Sequence, residues 1–312
     1  MMVRLQQRKH ALGSDALLTL VVDDVAAGEA MFPKLWKMIG AFEQRFSRFI
    51  AGSELTKFNA RAGSEVPVSK AFERLLRTCQ KLSAETDELF NPLTLPALQQ
   101  AGYVGSWPDV TNFEQSLDYR SRRSVTVVGQ LEIHAGSAKI PAASALDFGG
   151  IGKGYLLDRL RSYLDRQAYA NYWLSLGGDI VCKGRDSTDE PWAIGMQAVD
   201  SDLIVGQITN ERSNHLAIAT SGITKRAGAQ QGRMWHHLID PRTGSSAKTD
   251  ILSATVVGEQ ATETDVFAKC LVLLGTRDTG EFIKSHEIKT AYLQTNDGRV
   301  ILHEASKQRI LP

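Results

Sequence analysis

Long apolar runs are missing from this 312-residue chain. No stretch approaches the about 18–20 apolar residues that a membrane-spanning helix needs, so a membrane is not an expected partner. Charge of one sign is missing too: 36 Lys and Arg face 35 Asp and Glu, a formal net charge of +1. So close a balance supplies no field for wrapping nucleic acid, and any phosphate binding has to be local. Cysteine is scarce. Cys79, Cys182 and Cys270 are far apart, show no CxxC or Cys/His metal spacing, and cannot all pair within one chain because their number is odd. They read as small buried hydrophobes in a reducing compartment.

An export signal is also lacking. Met1 to His10 is polar and basic, no apolar segment with a small-residue cleavage site follows, and no early cysteine offers a lipid site. The expected location is cytoplasmic for the chain as written, and periplasmic if a leader has been removed. Repeats, low-complexity tracts and long Pro/Ser/Gly linkers are absent, which favours one continuous unit over residues 1–312. Apolar residues make up 43% and charged residues 23%, ordinary for a folded, water-soluble domain.

Leu17 to Val22 is a short β-type run. Phe32, Leu35, Trp36, Ile39, Phe42 and Phe46 then recur at helical spacing. Ser69 has the chemistry of an N-cap for a second helix carrying Phe72, Leu75, Leu76, Cys79 and Leu82 on one face. Gly102–Arg123 is polar and irregular and reads as surface connections. Short β-rich pieces follow at Ser124–Val128, Leu131–Ile133, Trp173–Leu176, Trp192–Met196, Leu203–Ile208, His215–Ala219 and Leu252–Val257. Helices are expected over Gly152–Leu164 and Thr264–Leu274. A last hairpin joins Thr290–Gln294 to Val300–His303 through Asn296-Asp297-Gly298. Strands outnumber helices in the C-terminal half without βαβ alternation, which argues for an α+β fold with mostly antiparallel sheet.

Four segments carry possible chemistry. In Ala145-Leu-Asp-Phe-Gly-Gly-Ile-Gly-Lys-Gly-Tyr155 an apolar stretch enters a loop of four glycines and one lysine, then a helix. Glycines let backbone N–H groups approach an anion, the helix N-terminus adds partial positive charge, and Lys153 adds a full one. The loop is neither a GxxxxGK[ST] phosphate loop nor a dinucleotide fingerprint within a βαβ unit; its alternative is a tight turn with a solvated lysine. Gly177-Gly178-Asp179 breaks a hydrophobic strand; its bland reading is a turn or bulge with Asp179 bonding its own backbone, and by itself the segment points to no one chemistry. Trp235-His-His-Leu-Ile-Asp-Pro-Arg-Thr-Gly244 sets two histidines before a turn. A histidine there suits a base near neutral pH or a structural role, and adjacent histidines on a strand point to opposite faces, which is poor metal spacing. Thr264 is expected to cap a helix whose Asp265 and Lys269 stand one turn apart, as a surface ion pair or in another role.

Five segments in order resemble the ApbE family, the FAD:protein FMN transferases, over roughly residues 12 to 275. They are Ser53-Glu54-Leu55 through Asn59, Asp147-Phe-Gly-Gly-Ile-Gly-Lys-Gly-Tyr155, Gly177-Gly178-Asp179, His237-Leu-Ile-Asp-Pro-Arg-Thr-Gly244, and Asp265 to Lys269. The resemblance implies a T-fold-related architecture with two subdomains around a flavin cleft. It implies a magnesium-dependent reaction in which a Thr or Ser hydroxyl of an acceptor flavoprotein attacks the FMN phosphorus of FAD and AMP leaves. By that resemblance His237 is the base or orients the attacking group. Leu12, Phe49, Leu89, Phe90, Asn91, Asp147, Lys153 and Leu238 contact FAD, and the Gly150 carbonyl and Asp265 hold Mg²⁺.

The chain departs from the family pattern at several of these positions. Lys269 stands where a threonine metal ligand is usual, and a protonated lysine is not a ligand for Mg²⁺. It would either stand in for the metal's charge or mark a protein that binds FAD as a carrier or sensor without turning it over. A third reading is hydrolysis of FAD to FMN and AMP. Asn91 and Ile223 replace usual aspartates, Phe49 a usual tyrosine, and Leu12 a common methionine.

Overall fold

The computed structural model describes residues 1–103, 105, 127–211, 214–230, 233–304 and 307–311. Nine strands form one antiparallel sheet: β1 (Val3–Ala11), β2 (Ser14–Val22), β3 (Asn171–Leu176), β4 (Asp179–Lys183), β5 (Leu216–Gly222), β6 (Ile251–Gly258), β7 (Thr290–Thr295), β8 (Val300–Glu304) and β9 (Lys307–Leu311). Their order across the sheet is their order in the chain, so each strand pairs with its sequence neighbour. The structure is α+β with mainly antiparallel sheet, as the strand-rich sequence implied.

Seven α-helices are found among the described residues: α1 (Val25–Phe46), α2 (Glu54–Asn59), α3 (Lys70–Glu85), α4 (Leu95–Ala101), α5 (Gly152–Arg166), α6 (Ala261–Leu274) and α7 (Thr279–Ser285). None is long and apolar enough to cross a membrane. Helices α1, α5 and α6 pack on the sheet. Their apolar faces join Leu18, Leu20, Leu174 and Ala254 in the main core, together with Phe32, Leu35, Ile39, Leu157, Leu160 and Leu271. Each fully buried Leu or Phe contributes about 1.5–3 kcal/mol of transfer free energy. A hairpin of strands Ala193–Gln197 and Ile204–Thr209 closes a second core, setting Trp192, Ile194, Met196 and Ile208 against Val21, Ile180, Cys182 and Ile218.

The expected helix of Phe32 to Phe46 lies within α1, Ser69 caps α3 by accepting the Phe72 N–H at 3.2 Å, and the last hairpin forms β7–β8. Most expected strands are present within about three residues at either end. Gly102–Arg123 and Ser124–Val128 lie largely outside the described residues; Val128 itself starts a 3-10 turn. All three cysteines are free and buried.

One expectation is corrected. Thr264 does not cap α6, which starts three residues earlier, and the Thr264 hydroxyl donates to the Ala261 carbonyl at 3.0 Å. The cap comes from α5. Asp158 accepts the N–H groups of Ala261 (3.0 Å) and Thr262 (2.8 Å) and the Thr262 hydroxyl (2.6 Å), satisfying donors that a helix start leaves unpaired.

Candidate functional site

The loop ahead of α5 is placed by packing and by polar clamps. Phe148 sits in an aromatic cluster, its ring centroid 5.8 Å from both Phe46 and Phe72. That anchors the chain between Asp147 and Gly149. Asn59 exchanges two 2.9 Å hydrogen bonds with the backbone of Leu146, and the Asp147 N–H donates to the Pro92 carbonyl at 2.8 Å. The Ser53–Asn59 segment is thereby a positioning device. Ser53 caps α2 through the Thr56 N–H, Leu55 is fully buried, and Glu54 accepts both the backbone and the hydroxyl of Ser69 at 2.7 Å.

The four glycines of the loop divide by role. Gly149 and Gly150 line a cleft; Gly152 and Gly154 do not. A Cβ at Gly154 would lie 2.2 Å from the Ala261 carbonyl oxygen and 2.8 Å from Asp265 Cβ, so this glycine lets α5 and α6 touch. The Gly154 N–H donates to Asp265 Oδ2 at 3.1 Å. Asp265 on α6 thus caps α5, as Asp158 on α5 caps α6, and the two helices deliver Lys153, Asp265 and Lys269 to one place.

That place is a cleft of about 490 Å³. One wall is sheet: Gly177, Gly178, Ile180, Ile218, Thr220, Ser253 and Thr255. Five cationic residues line it (Arg48, Lys153, Lys225, Arg226 and Lys269) against two acidic ones, Asp147 and Asp265. A protein of net charge +1 has gathered local positive charge where the sequence required it to be local. Lys153 is held by Asp179, a buried carboxylate that also accepts the Thr220 N–H at 3.1 Å. Of the bland reading of this segment the turn is present, while the Asp179 carboxylate bonds Lys153 and Thr220. Leu176 and Asp179 pair across Gly177-Gly178, both at positive φ, and this tight turn aims Asp179 at Lys153.

His237 lies just past the strand Arg233–His236 and lines the cleft, whereas His236 bonds the Ala247 carbonyl at 2.9 Å. The His237 Nδ1 meets the Arg226 carbonyl at 3.3 Å. A carbonyl only accepts, so that contact places hydrogen on Nδ1 and leaves Nε2 with a lone pair. Burial first, then the charges of Arg226 and Lys269, push the imidazole down to about 3, and it is neutral near pH 7. The Asp240-Pro-Arg-Thr-Gly244 turn is held by its own bonds: Asp240 accepts the Arg242 backbone N–H and side chain, and Gly244 closes the turn at φ +65°.

A group of aromatic rings adjoins the charges. Arg48 lies 4.3 Å from the centroid of Phe49, which is 47% exposed, and 4.8 Å from that of Tyr103. The Tyr103 ring is tilted against Trp235 and edge-on to His237, with centroids 6.1 and 6.4 Å apart. A second hollow shares Arg48, Phe49, Tyr103, Asp147 and Lys153 with the cleft and extends to Leu12. Leu12 and Gly13 form the β1–β2 turn, both at positive φ, and the Leu12 N–H is pinned to Glu43 at 2.9 Å. For a leucine that conformation costs about 1–2 kcal/mol.

The structure brings Leu12, Phe49, Asp147, Gly150, Lys153, His237, Leu238, Asp265 and Lys269 onto these walls. Leu89, Phe90 and Asn91 are not on them. They are buried beneath, where Asn91 accepts the Leu93 N–H at 2.7 Å and the Phe90 ring lies 5.9 Å from Lys269 Nζ. Sequence reasoning missed Arg48, Tyr103 and Arg226. The adjacent Lys225-Arg226 pair in a glycine-rich stretch was a usable signal for the last; nothing local marked the other two.

The expected metal position holds an ammonium. Lys269 is 8% exposed and lines the cleft, and among the described residues its Nζ has no hydrogen bond and no ion pair, Asp265 included. Burial pushes its pKa down, while Asp147, then Cys270 and Asp265, oppose that shift. It is packed against Gly150 so closely that a Cβ there would sit 2.8 Å from Nζ. Among the described residues no three His, Cys, Asp or Glu side chains converge to hold a cation. One or two carboxylates, waters and substrate phosphates suffice for Mg²⁺, so the misfit here lies in Lys269 itself: its ammonium is a cation without a lone pair, packed against Gly150 where the metal is expected.

The fold and the cleft have relatives. The ApbE family model matches residues 12–293. A FAD:protein FMN transferase of Klebsiella pneumoniae is 27% identical, covering 96% of this chain and 92% of its own, and one of Vibrio cholerae is 26% identical over 88% and 82%. Among solved structures, the ApbE protein of Thermotoga maritima superposes with a TM-score of 0.83 at 22% identity over 96% of each chain. The flavin transferase ApbE of Vibrio cholerae gives 0.78 at 23% identity over 100% and 98%; at such identities the likeness speaks for the fold. With a family match across nearly its whole length, this chain belongs to the ApbE family.

Proposed function

We propose that this protein binds FAD in the cleft and transfers its FMN half to a Thr or Ser hydroxyl of an acceptor flavoprotein, releasing AMP. The observation that carries the reading is the convergence of five cationic residues and a neutral His237 in one cleft. A dinucleotide pyrophosphate needs that local charge, and hydroxyl attack on phosphorus needs a base. FAD:protein FMN transferase is also the name carried by the curated relatives.

In this reading Lys153, fixed by Asp179, meets a phosphate oxygen, and Gly149 and Gly150 let the ligand approach the loop. Leu12, Phe49 and the Arg48–Tyr103 stack offer a flat, largely apolar face to the isoalloxazine. Leu238 closes the floor, and Asp147, beside Arg48 at 3.7 Å, orients that arginine. Leu89, Phe90 and Asn91 act from beneath. His237 Nε2 takes the acceptor's hydroxyl proton. Positioning of the two reactants and neutralisation of phosphate charge supply the rest.

The test is to mix the purified protein with FAD and a threonine-bearing acceptor peptide, then measure AMP and peptide-bound flavin fluorescence. Both are expected, and His237→Ala should retain FAD binding but lose transfer. Tight FAD binding without AMP would make the protein a carrier or sensor. AMP released without an acceptor would make it a FAD pyrophosphatase.

A further inference from the structure

Resting on the FAD reading, we propose that the Lys269 ammonium takes the place of a divalent cation in this protein, so that the FAD pyrophosphate is held without a metal at Gly150 and Asp265. Three observations converge. Lys269 is nine-tenths buried yet lines the cleft, and among the described residues its ammonium has neither a hydrogen bond nor an ion pair. Its ammonium lies by the Phe90 ring, 5.9 Å from the centroid, and not by a carboxylate, so an anionic group entering the cleft is the partner its N–H donors suit. Its fit against the loop is close, since a Cβ at Gly150 would come within 2.8 Å of Nζ and 3.1 Å of Cδ. A side chain at position 150 would make the lysine terminus shift from its place against the loop. Finally, Asp265, one helical turn before Lys269, already gives one oxygen to the Gly154 N–H and is partly engaged in holding α5.

The transfer step balances without a metal. The acceptor Oγ forms a bond to the FMN phosphorus, and the bond from that phosphorus to the bridging oxygen breaks. The bridging oxygen leaves with AMP and keeps the electron pair. The hydroxyl proton goes to His237 Nε2 and then to solvent. Nothing is oxidised or reduced. Negative charge grows on the bridging and non-bridging oxygens, and Lys269 and Lys153 are the cations placed to meet it.

The experiment compares FAD affinity, by quenching of flavin fluorescence, in metal-stripped protein with EDTA and in excess Mg²⁺. Mn²⁺ binding is read by electron paramagnetic resonance. The wild type should bind FAD equally in both buffers, within about twofold, and should show no stoichiometric Mn²⁺. Lys269→Met should weaken FAD binding roughly ten- to hundredfold, the scale of a lost charge-assisted hydrogen bond. Lys269→Thr should weaken it in EDTA and recover it in Mg²⁺, with one Mn²⁺ now bound. Circular dichroism confirms that each variant is folded; if Lys269→Met does not fold, the wild-type buffers and Lys269→Thr still decide.

Wild-type FAD binding that collapses in EDTA and returns with Mg²⁺, together with stoichiometric Mn²⁺, would overturn the proposal. FAD bound equally in both buffers without any AMP release would remove the transferase reading and leave the role of Lys269 standing. Absence of FAD binding in either buffer would remove both.

Discussion

Asp158 and Asp265 cap each other's helices. Asp158, on α5, accepts the first N–H groups of α6, and Asp265, on α6, accepts the Gly154 N–H at the start of α5. Neither helix start has a side-chain cap of its own. The two dipoles are thereby each met by an acid from the partner helix, and the cleft is built where they cross.

Asp158 does not line the cleft. Asp158→Ala should therefore cost about 1–2 kcal/mol of stability, the scale of a lost helix cap, with a fall in Tm of a few degrees. FAD affinity should change little beyond that. Calorimetry and a flavin titration on the same sample check it, and a large loss of affinity at unchanged Tm would contradict it.

Gly154→Ala is expected to be worse than any cap deletion. Its Cβ would press on the Ala261 carbonyl, which is backbone and cannot swing away. We expect a loss of about 3 kcal/mol or more from overpacking, seen as a lower denaturant midpoint. The same change at Gly149 meets only the Asp147 carboxylate, at 3.1 Å, and should be milder for stability.

His237 gives a pH signature. Its folded pKa, about 3, lies below the 6.5 of the free side chain. Between those values the unfolded chain holds the extra proton. This ring's contribution to stability is complete above about pH 6.5 and is lost as the pH falls toward 3, by at most about 1.4 kcal/mol per unit. A diphosphate bound beside Arg226 and Lys269 would offset two of the causes. Addition of ADP should therefore raise the His237 titration midpoint, read from its ring-proton resonance, by about one unit or more. An unmoved midpoint at saturation would put the diphosphate elsewhere.

Local pattern made much of the fold legible. The 3–4 spacing of α1 and α3, the Ser69 cap and the Asn-Asp-Gly hairpin are written within a few residues of where they act. The strand β1 was not, because Val3–Ala11 is an edge strand of mostly exposed, polar and basic side chains without a clean hydrophobic alternation. The start of α6 was misread because its cap is Asp158, over a hundred positions away, and no window reveals that partner. In the cleft, Lys153, His237, Asp265 and Lys269 announced themselves through unusual local context. Arg48 and Tyr103 did not, since an arginine and a tyrosine in connecting segments look ordinary until the fold stacks them.

The sequential strand order has an evolutionary consequence. The sheet closes its hydrogen bonds between chain neighbours, whereas every charged residue lining the cleft comes from an excursion between strands: Arg48, Asp147 and Lys153 from residues 23–170, Lys225 and Arg226 from 223–250, Asp265 and Lys269 from 259–289. Framework and chemistry are thus inherited in separate stretches of chain. A substitution at position 269 puts no strand pairing at stake, so the charge of the cleft can be altered while the order of the sheet stays as it is.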